Sequence, residues 1–478
     1  MTLSAYSILS VSKPRVLVQL DISITNTQWI NCGAGIWYTN FDGLYPEVDL
    51  TLLSGFTAQT FGEIGSVYVD GIFQTKKTTL ASLTDATESY YFDRTNEELY
   101  VCIKNYDEPF IHDIHLGVIY GYSADEFTPI DSTILYEGRL TNVPSVSISR
   151  DPLFFGKMQY NFSGISLVNA DGNFDTFADT KNIYGNEARI LLGYEELSID
   201  DYINIYTGLV EDITISEETA EFTIGDKRKQ LSKSVTYSCS ALNALSAIKE
   251  LLVNEYNVTY NGTYFDTTAW EAASALAPNI TINIAAGKAI TDKPVNEIIE
   301  DICGTVFGLF IIDENNKFSF KIVDTTATAS ATILDIDILN YHNISYDPSE
   351  VISSTKVGYS KNWEEGYTSP YMWLYDTTQE NAVFLKYKTF NQKESFTLLI
   401  NPADAQSFSN TILAYSKDVH GIGEIEVPIK YYTIELGDIV NIEINRPAST
   451  MLGTKKCEII GKTYNLLFPT ISFTYRII

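Results

Sequence analysis

The first clear pattern along the chain is a strict alternation. From Arg15 to Thr25, Val16, Val18, Leu20, Ile22 and Ile24 fall on one side and Leu17, Gln19, Asp21, Ser23 and Thr25 on the other, which predicts a half-buried β-strand. Val67-Tyr68-Val69 and Ile72-Phe73-Gln74 flank Asp70-Gly71, a hairpin signal because both central turn residues need positive φ. Tyr90 to Phe92 and Leu99 to Ile103 flank a polar turn, Asp93 to Glu98. Residues 1 to about 145 therefore read as antiparallel β, closing near Asn142-Val143-Pro144-Ser145.

A second β region follows. Met158 to Val168 mixes apolar and polar residues and runs into Asn169-Ala-Asp171-Gly172-Asn173-Phe174-Asp175. Ile190 to Leu192 and Ile203 to Ile205 read as strands, and Phe222 and Ile224 alternate with Glu221 and Thr223. At about Ser240 the period changes. Ser240 is a candidate helix cap, and Leu245, Ile248, Leu251 and Leu252 follow at helical spacing. A second helix is expected to start at Asp292, with Pro294 in its first turn, an apolar stripe of Val295, Ile298, Ile299 and Ile302, and Gly304 at its left-handed end. A hairpin comes next, Leu309 to Ile312 and Phe318 to Ile322 about the turn Asp313 to Asn316. Thr325 to Thr332 is a low-complexity linker candidate. The rest returns to β with one helix, Ala403 to Val419, whose face carries Ala405, Phe408, Ile412 and Leu413. Val440, Ile442 and Ile444 then oppose Asn441, Glu443 and Asn445, and the chain ends in the strand-like stretch Thr470 to Ile478.

These elements predict a mainly β, multidomain protein of β-barrel or sandwich domains with a small inserted α/β unit. The expected division is an N-terminal antiparallel β domain over 1–145, a first β-barrel over 146–239, the α/β insert over 240–325, and a C-terminal β domain with one helix over 326–478. A length of 478 residues is too great for one hydrophobic core. The abundance of Tyr (32) and Phe (24) leans the same way, since aromatic side chains suit a pleated, half-buried surface.

Charge narrows the functional classes. The net charge is −29, from 61 acidic and 32 basic side chains, so the surface repels nucleic acid and anionic membrane. The acid is uneven: Asp42 to Tyr136 holds sixteen acidic and four basic residues, whereas Gly421 to Ile478 holds six of each. Five scattered cysteines (Cys32, Cys102, Cys239, Cys303, Cys457) have no metal-ligand spacing and read as buried free thiols of a reducing cytoplasm. The N-terminus lacks the charged head and apolar run of a signal peptide, and no stretch of about 18 apolar residues predicts a membrane-spanning segment.

Candidate chemistry is sparse. There are four histidines, His112, His115, His342 and His420, to act as base in a nucleophilic triad. The one close pair, His112 and His115, lies in a stretch that reads as extended, which puts the two on opposite faces and favours an exposed loop over a metal site. Asn169 to Asp175 places oxygen ligands at alternate positions as calcium loops do, but lacks the EF-hand order; an Asp-Gly turn with side chains bonding the local backbone is the stronger reading. Glu217-Glu218 and Glu364-Glu365 read as solvated surface. Gly33-Ala34-Gly35 has no helix after it, no P-loop is present, and Lys227-Arg228-Lys229 is a short isolated basic patch. No catalytic, cofactor-binding or metal residue is selected, and no cofactor is expected.

The order of the pieces carries more than any motif. From about residue 135 onwards the chain resembles the baseplate hub and tail-tip proteins of tailed bacteriophages, prophage tails and gene transfer agents. Ser166 to Asp175 looks like that family's strand followed by an Asn-x-Asp-Gly turn. Ile205-Tyr206-Thr207-Gly208-Leu209-Val210, with Ile224-Gly225-Asp226 and Leu231, looks like its Gly-x-Val strand pair with a downstream Asp. Lys293-Pro294-Val295 to Gly304, then Gly308 and Asp313, resembles its inserted α/β unit, and the helix from Ala403 followed by Leu436-Gly437-Asp438-Ile439-Val440 resembles its C-terminal strand start. At that start Gly437 permits a tight turn, Asp438 can satisfy backbone N–H groups, and Val440 resumes the buried face.

The resemblance implies a non-enzymatic virion protein, made in the host bacterial cytoplasm: a homotrimer around a central channel. Its partners would be a tube or distal tail protein on one side and a spike or fibre protein on the other. DNA would pass through without specific binding, and an acidic lumen would let it slide. Two other readings stand beside it: a receptor- or glycan-binding tail protein, for which Trp29 and Trp37 in the N-terminal region are the candidate aromatics, and a tail-associated cell-wall or capsule hydrolase.

Overall fold

The computed structural model describes residues 14–478 outside segments 26–29, 34–35, 41–61, 70–71, 74, 78, 84–88, 94–97, 103–113, 133, 143, 151–157, 163, 176–182, 257, 263, 278–279, 285–289, 314–316, 342–343, 364–369 and 446–452. Strands hold about half of the described residues. The protein is mainly β with several β domains and a mixed α/β portion. It divides into two compact units: residues 1–145, 162–226 and 466–468 form one, and 146–161, 227–465 and 469–478 the other.

The first unit is built on one curled antiparallel sheet. Its strands run in the order Ile165–Val168, Thr219–Asp226, Ile203–Ile215, Glu187–Tyr194, Pro14–Thr25, Ile114–Ser123, Gly62–Val69 and Ile72–Phe73. The alternating strand at the start of the chain thus lies in the middle: Leu17 pairs with Leu191 on one side and Ser123 on the other. Leu17, Val18 and Leu20 are all fully buried. The hairpin at residues 67–73 is present, with Tyr68 opposite Phe73, while its Asp70-Gly71 turn lies outside the described residues. The hairpin Ser89–Asp93 with Glu98–Cys102 belongs to a separate sheet. Met158 to Val168 proves to be two strands, Met158–Phe162 and Ile165–Val168, in different sheets. They part beside Gly164, whose φ of +82° only glycine adopts freely.

In the second unit the main sheet runs Met158–Phe162, Val146–Arg150, Gly453–Asn465, Thr470–Ile477, Gly421–Pro428 and Asn340–Tyr341. One edge of the long strand Gly453–Asn465 serves two partners in succession. Residues 453–458 pair with Ile439–Ile444, and 461–464 pair with Val146–Ser149. The change of partner coincides with a bulge between Ile459 and Gly461. Part of the expected linker belongs to this sheet, because Ala331–Ile333 pairs in parallel with Val440–Ile442.

Five α-helices lie among the described residues, all in the second unit: α1 Ala244–Tyr256, α2 Thr267–Leu276, α3 Val295–Val306, α4 Glu380–Tyr387 and α5 Pro402–Ser416. The cap of α1 is Asn243, not Ser240, since its side chain accepts the Leu245 and Ser246 N–H groups at 3.1 Å each. Helix α3 begins three residues later than expected. Ile290–Pro294 is held extended by pairing of Val235 with Lys293 and Ser234 with Pro294, and a residue before proline disfavours the helical region in any case. Nor does Gly304 end it: the left-handed residue is Phe307, at φ +57°, because Thr305 and Val306 are buried and Phe307 stacks on Phe408 at 4.7 Å. Helix α5 starts at Pro402, and all four expected face residues are buried. The C-terminal region holds α4 as well as α5, and α2 was not foreseen at all. The core of the insert joins Leu245, Ile248, Leu251, Trp270, Ile299 and Phe320.

Trp270 is fully buried, with Phe265 and Phe320 ring centroids 5.7 and 5.2 Å away and its indole N–H donated to Phe318 O at 2.8 Å. Trp270→Ala is expected to destabilise the second unit by about 3–5 kcal/mol. Urea unfolding followed by circular dichroism would measure it; a loss of under about 1 kcal/mol would contradict this packing.

Candidate functional site

The residues that carry the family resemblance are used in building the backbone. The Asn169 side chain, almost fully buried, makes three bonds: it donates to Asp175 Oδ1 and Ser216 O at 2.8 Å each and accepts the Phe174 N–H at 2.8 Å. Gly172 supplies a φ of +70°. Both Asp171 oxygens take the Arg139 guanidinium, at 2.9 and 2.7 Å, and Arg139 holds the Asp171 carboxyl down at about 2. The loop is therefore an Asx turn whose carboxylates already have partners. Phe174, at its end, is sealed against Phe222.

The Gly-x-Val pair is equally architectural. Gly208 lies opposite Asp226 in the ladder, and a β-carbon there would come within 2.5 Å of Gly225 O. At the C-terminal strand start, Gly437 has φ +75° and Asp438 Oδ2 accepts the Glu435 N–H at 2.7 Å, while Val440 is fully buried. Two lysines pin this turn. Lys321 from the α/β insert pairs with Asp438, and the buried Lys462 donates to Tyr432 O at 2.6 Å and Glu435 Oε1 at 2.9 Å.

A buried polar cluster sits where the long strand changes partner. Arg150 pairs with Glu458, both side chains being fully enclosed. Tyr415 from α5 donates to Glu458 Oε2 at 2.6 Å and accepts from Arg150 at 3.0 Å. The Arg476 guanidinium lies 3.6 Å from the Tyr415 ring centroid. His420 contacts Ile477 O at 2.7 Å, and burial, reinforced by Arg476, pushes its pKa down. The sequence signal was present but unused: Glu458 interrupts the apolar run Cys457-Glu-Ile-Ile460, where an acid must find an internal partner.

A cavity of about 200 Å³ opens beside the three-stranded sheet of Met372–Asp376, Ser354–Tyr359 and Gln392–Phe396. Its lining includes Lys293, Asp301, Lys361, Trp363, Tyr371 and Phe396. Lys293 pairs with Asp301. Lys361 lies over the Trp363 ring at 3.8 Å, and burial, then the Lys293 charge, lowers its pKa. The Trp363 indole N–H is buried without a hydrogen-bond partner, a state that costs about 1–3 kcal/mol. No motif pointed to these residues, which are spread over more than a hundred positions.

Of the other candidates, His112, His342, Trp29 and Glu364-Glu365 lie outside the described residues. His115 and Trp37 fall on strands, Ile114–Ser123 and Ile36–Asn40. Arg228 donates to Met158 O at 2.9 Å, which gives the basic patch a structural use. Glu217 and Glu218 are exposed. Cys102 is buried, Cys239, Cys303 and Cys457 are buried free thiols, and burial pushes Cys457 up to about 12. Among the described residues, no three His, Cys, Asp or Glu side chains are grouped to hold a metal ion.

Glu458→Leu strands Arg150 in the interior and is expected to cost about 3–5 kcal/mol, whereas Arg150→Met with Glu458→Leu recovers most of it; equal losses in denaturant midpoints for the single and double variants would contradict the pairing. Asp171, lowered in the folded state, contributes stability above its ordinary value near 4, and that contribution is lost as pH falls towards about 2. Because the side chain is 54% exposed, the contribution is below about 1 kcal/mol. Urea midpoints of Asp171→Asn should fall short of the parent at pH 7 and converge with it as the pH drops below about 4.

The sequence matches no family model, and no curated protein matches it. Solved structures do. The tail protein from Neisseria meningitidis MC58 is similar at 10% identity and a TM-score of 0.44, over 70% of this chain and 91% of that one. The 43 kDa tail protein of prophage MuSo2 from Shewanella oneidensis is similar at 11% identity and 0.41, over 73% and 96%. Prophage tail protein gp18 from Listeria monocytogenes EGD-e is similar at 11% and 0.41, over 72% and 91%.

Proposed function

We propose that this chain is a non-enzymatic structural component of a phage-tail-like baseplate or tail tip. In this reading it is a hub that assembles as a homotrimer around a central channel. It links a tail tube or distal tail protein to spike or fibre proteins, and DNA passes through the channel without specific binding.

The observation that supports this most is the use made of the recurring motifs. Asn169, Gly208, Gly437 and Asp438 all serve turns and strand approach, so what the chain shares with the hub family is architecture, not a reacting group. Large apolar side chains left at the surface, such as Ile336, Leu385 and Phe468, are suited to contacts with other subunits. The net charge of −29 opposes tight binding of DNA, as a channel protein requires.

Native mass spectrometry of the full chain, alone and mixed with its neighbouring tail proteins, tests the reading. Three copies of the 53.5 kDa chain are expected in at least one condition. A single copy in every condition would refute the trimeric hub.

A further inference from the structure

The aromatic cavity carries more than the assembly role uses. Two lysines on the same small sheet region lie over indole rings, and they differ in one respect. Lys356 stands 4.0 Å from the Trp373 ring and has a counter-ion, Glu394, at 2.9 Å. Lys361 stands 3.8 Å from Trp363 and 5.5 Å from Tyr371; among the described residues no carboxylate forms a direct ion pair with it, and Asp301 acts on it only through space. The other cavity lysine, Lys293, is already paired with Asp301. Among the described lining residues two lysines thus face one carboxylate, an excess of one cation, in a chain of net charge −29.

Three further features bear on what fits there. The Trp363 N–H is a buried donor with nothing to donate to. Phe396 is 63% exposed beside the cavity, its inner side braced by Tyr371 at 5.3 Å and Trp373 at 5.5 Å, so ring surface remains open. The space, about 200 Å³, holds roughly seven waters at about 30 Å³ each, which is the size of one ring and not of a nucleotide.

We infer that this cavity binds a single acidic pyranose, a sugar ring bearing one carboxylate. The carboxylate meets the Lys361 ammonium, a hydroxyl accepts the Trp363 N–H, and the C–H face of the ring lies against Tyr371 and Phe396. Each requirement is met by one group of the ligand. A dianionic phosphate would exceed the one spare cation, and a free amino acid would bring its own ammonium against Lys361. Burial and the Lys293 cation both make the Lys361 charge costly, and an incoming carboxylate offsets both.

Indole-labelled full-length protein, followed by ¹H–¹⁵N correlation, reads the donor directly, with the Trp363 resonance assigned by Trp363→Phe. Methyl glucuronide is expected to move this resonance saturably. Methyl glucoside, which lacks the carboxylate, should bind at least about tenfold more weakly, and so should methyl glucuronide to Lys361→Met. The remaining indole resonances report that each variant is folded. An unmoved Trp363 signal, an equal response to methyl glucoside, or an equal response to N-acetylglutamate amide, which would point to an acidic peptide, each overturns the assignment.

Discussion

The structure depends on one requirement: every interior strand must find hydrogen-bond partners on both edges, and for the central strands one of those partners is distant in sequence. Pro14–Thr25 is flanked by Ile114–Ser123 and Glu187–Tyr194. Gly453–Asn465 is flanked along one edge by Thr470–Ile477 and along the other first by Ile439–Ile444 and then by Val146–Arg150. Unpaired backbone groups inside a sheet are costly, so once these ladders form the remaining chain has little freedom in where it turns. The glycines at 208 and 437 sit where a ladder closes or starts and where a side chain would obstruct it.

Polar groups in the interior select one register from the several that an apolar alternation permits. Slipping a strand by one residue would turn Glu458 from Arg150 and Tyr415 towards the opposite face. The same holds for Asn169, whose three bonds reach Asp175, Phe174 and Ser216 only in the observed pairing. A buried charge that loses its partner is far worse than an apolar pair, so a slipped register is penalised at these positions. Lys462 and Lys321 act likewise from two sides of the Gly437 turn.

Much of the fold was legible where local pattern and tertiary demand agree. The strand at residues 14–25, the stripe of α3 and the buried face of α5 follow from period, although Leu17, expected on the open side of that strand, is as buried as Val18 and Leu20 because the strand lies mid-sheet. The misses have physical causes. Helix α2 offers only Trp270 and Ala273 as buried residues, too few for a stripe, although Asp266 caps it by accepting the Ala269 N–H. Helix α4 buries only Val383. The start of α3 was displaced by strand pairing, which no window around Asp292 contains. Cavity residues such as Lys293, Lys361 and Phe396 come together only through the fold, so no spacing announces them.

Connectivity has a consequence for synthesis. Apart from Leu466–Phe468, the first unit has all its residues once Asp226 is made, but the strand Val146–Arg150 lacks the partner residues 461–464. At ribosomal speeds of about 5–20 residues per second, the intervening chain takes roughly 10–50 s to appear. Throughout that interval two finished strands, Val146–Arg150 and Met158–Phe162, wait with an open edge, the arrangement that invites pairing with a neighbouring nascent copy. The sheet of the second unit is thus completed only after residues 453–477 are made, long after its first two strands.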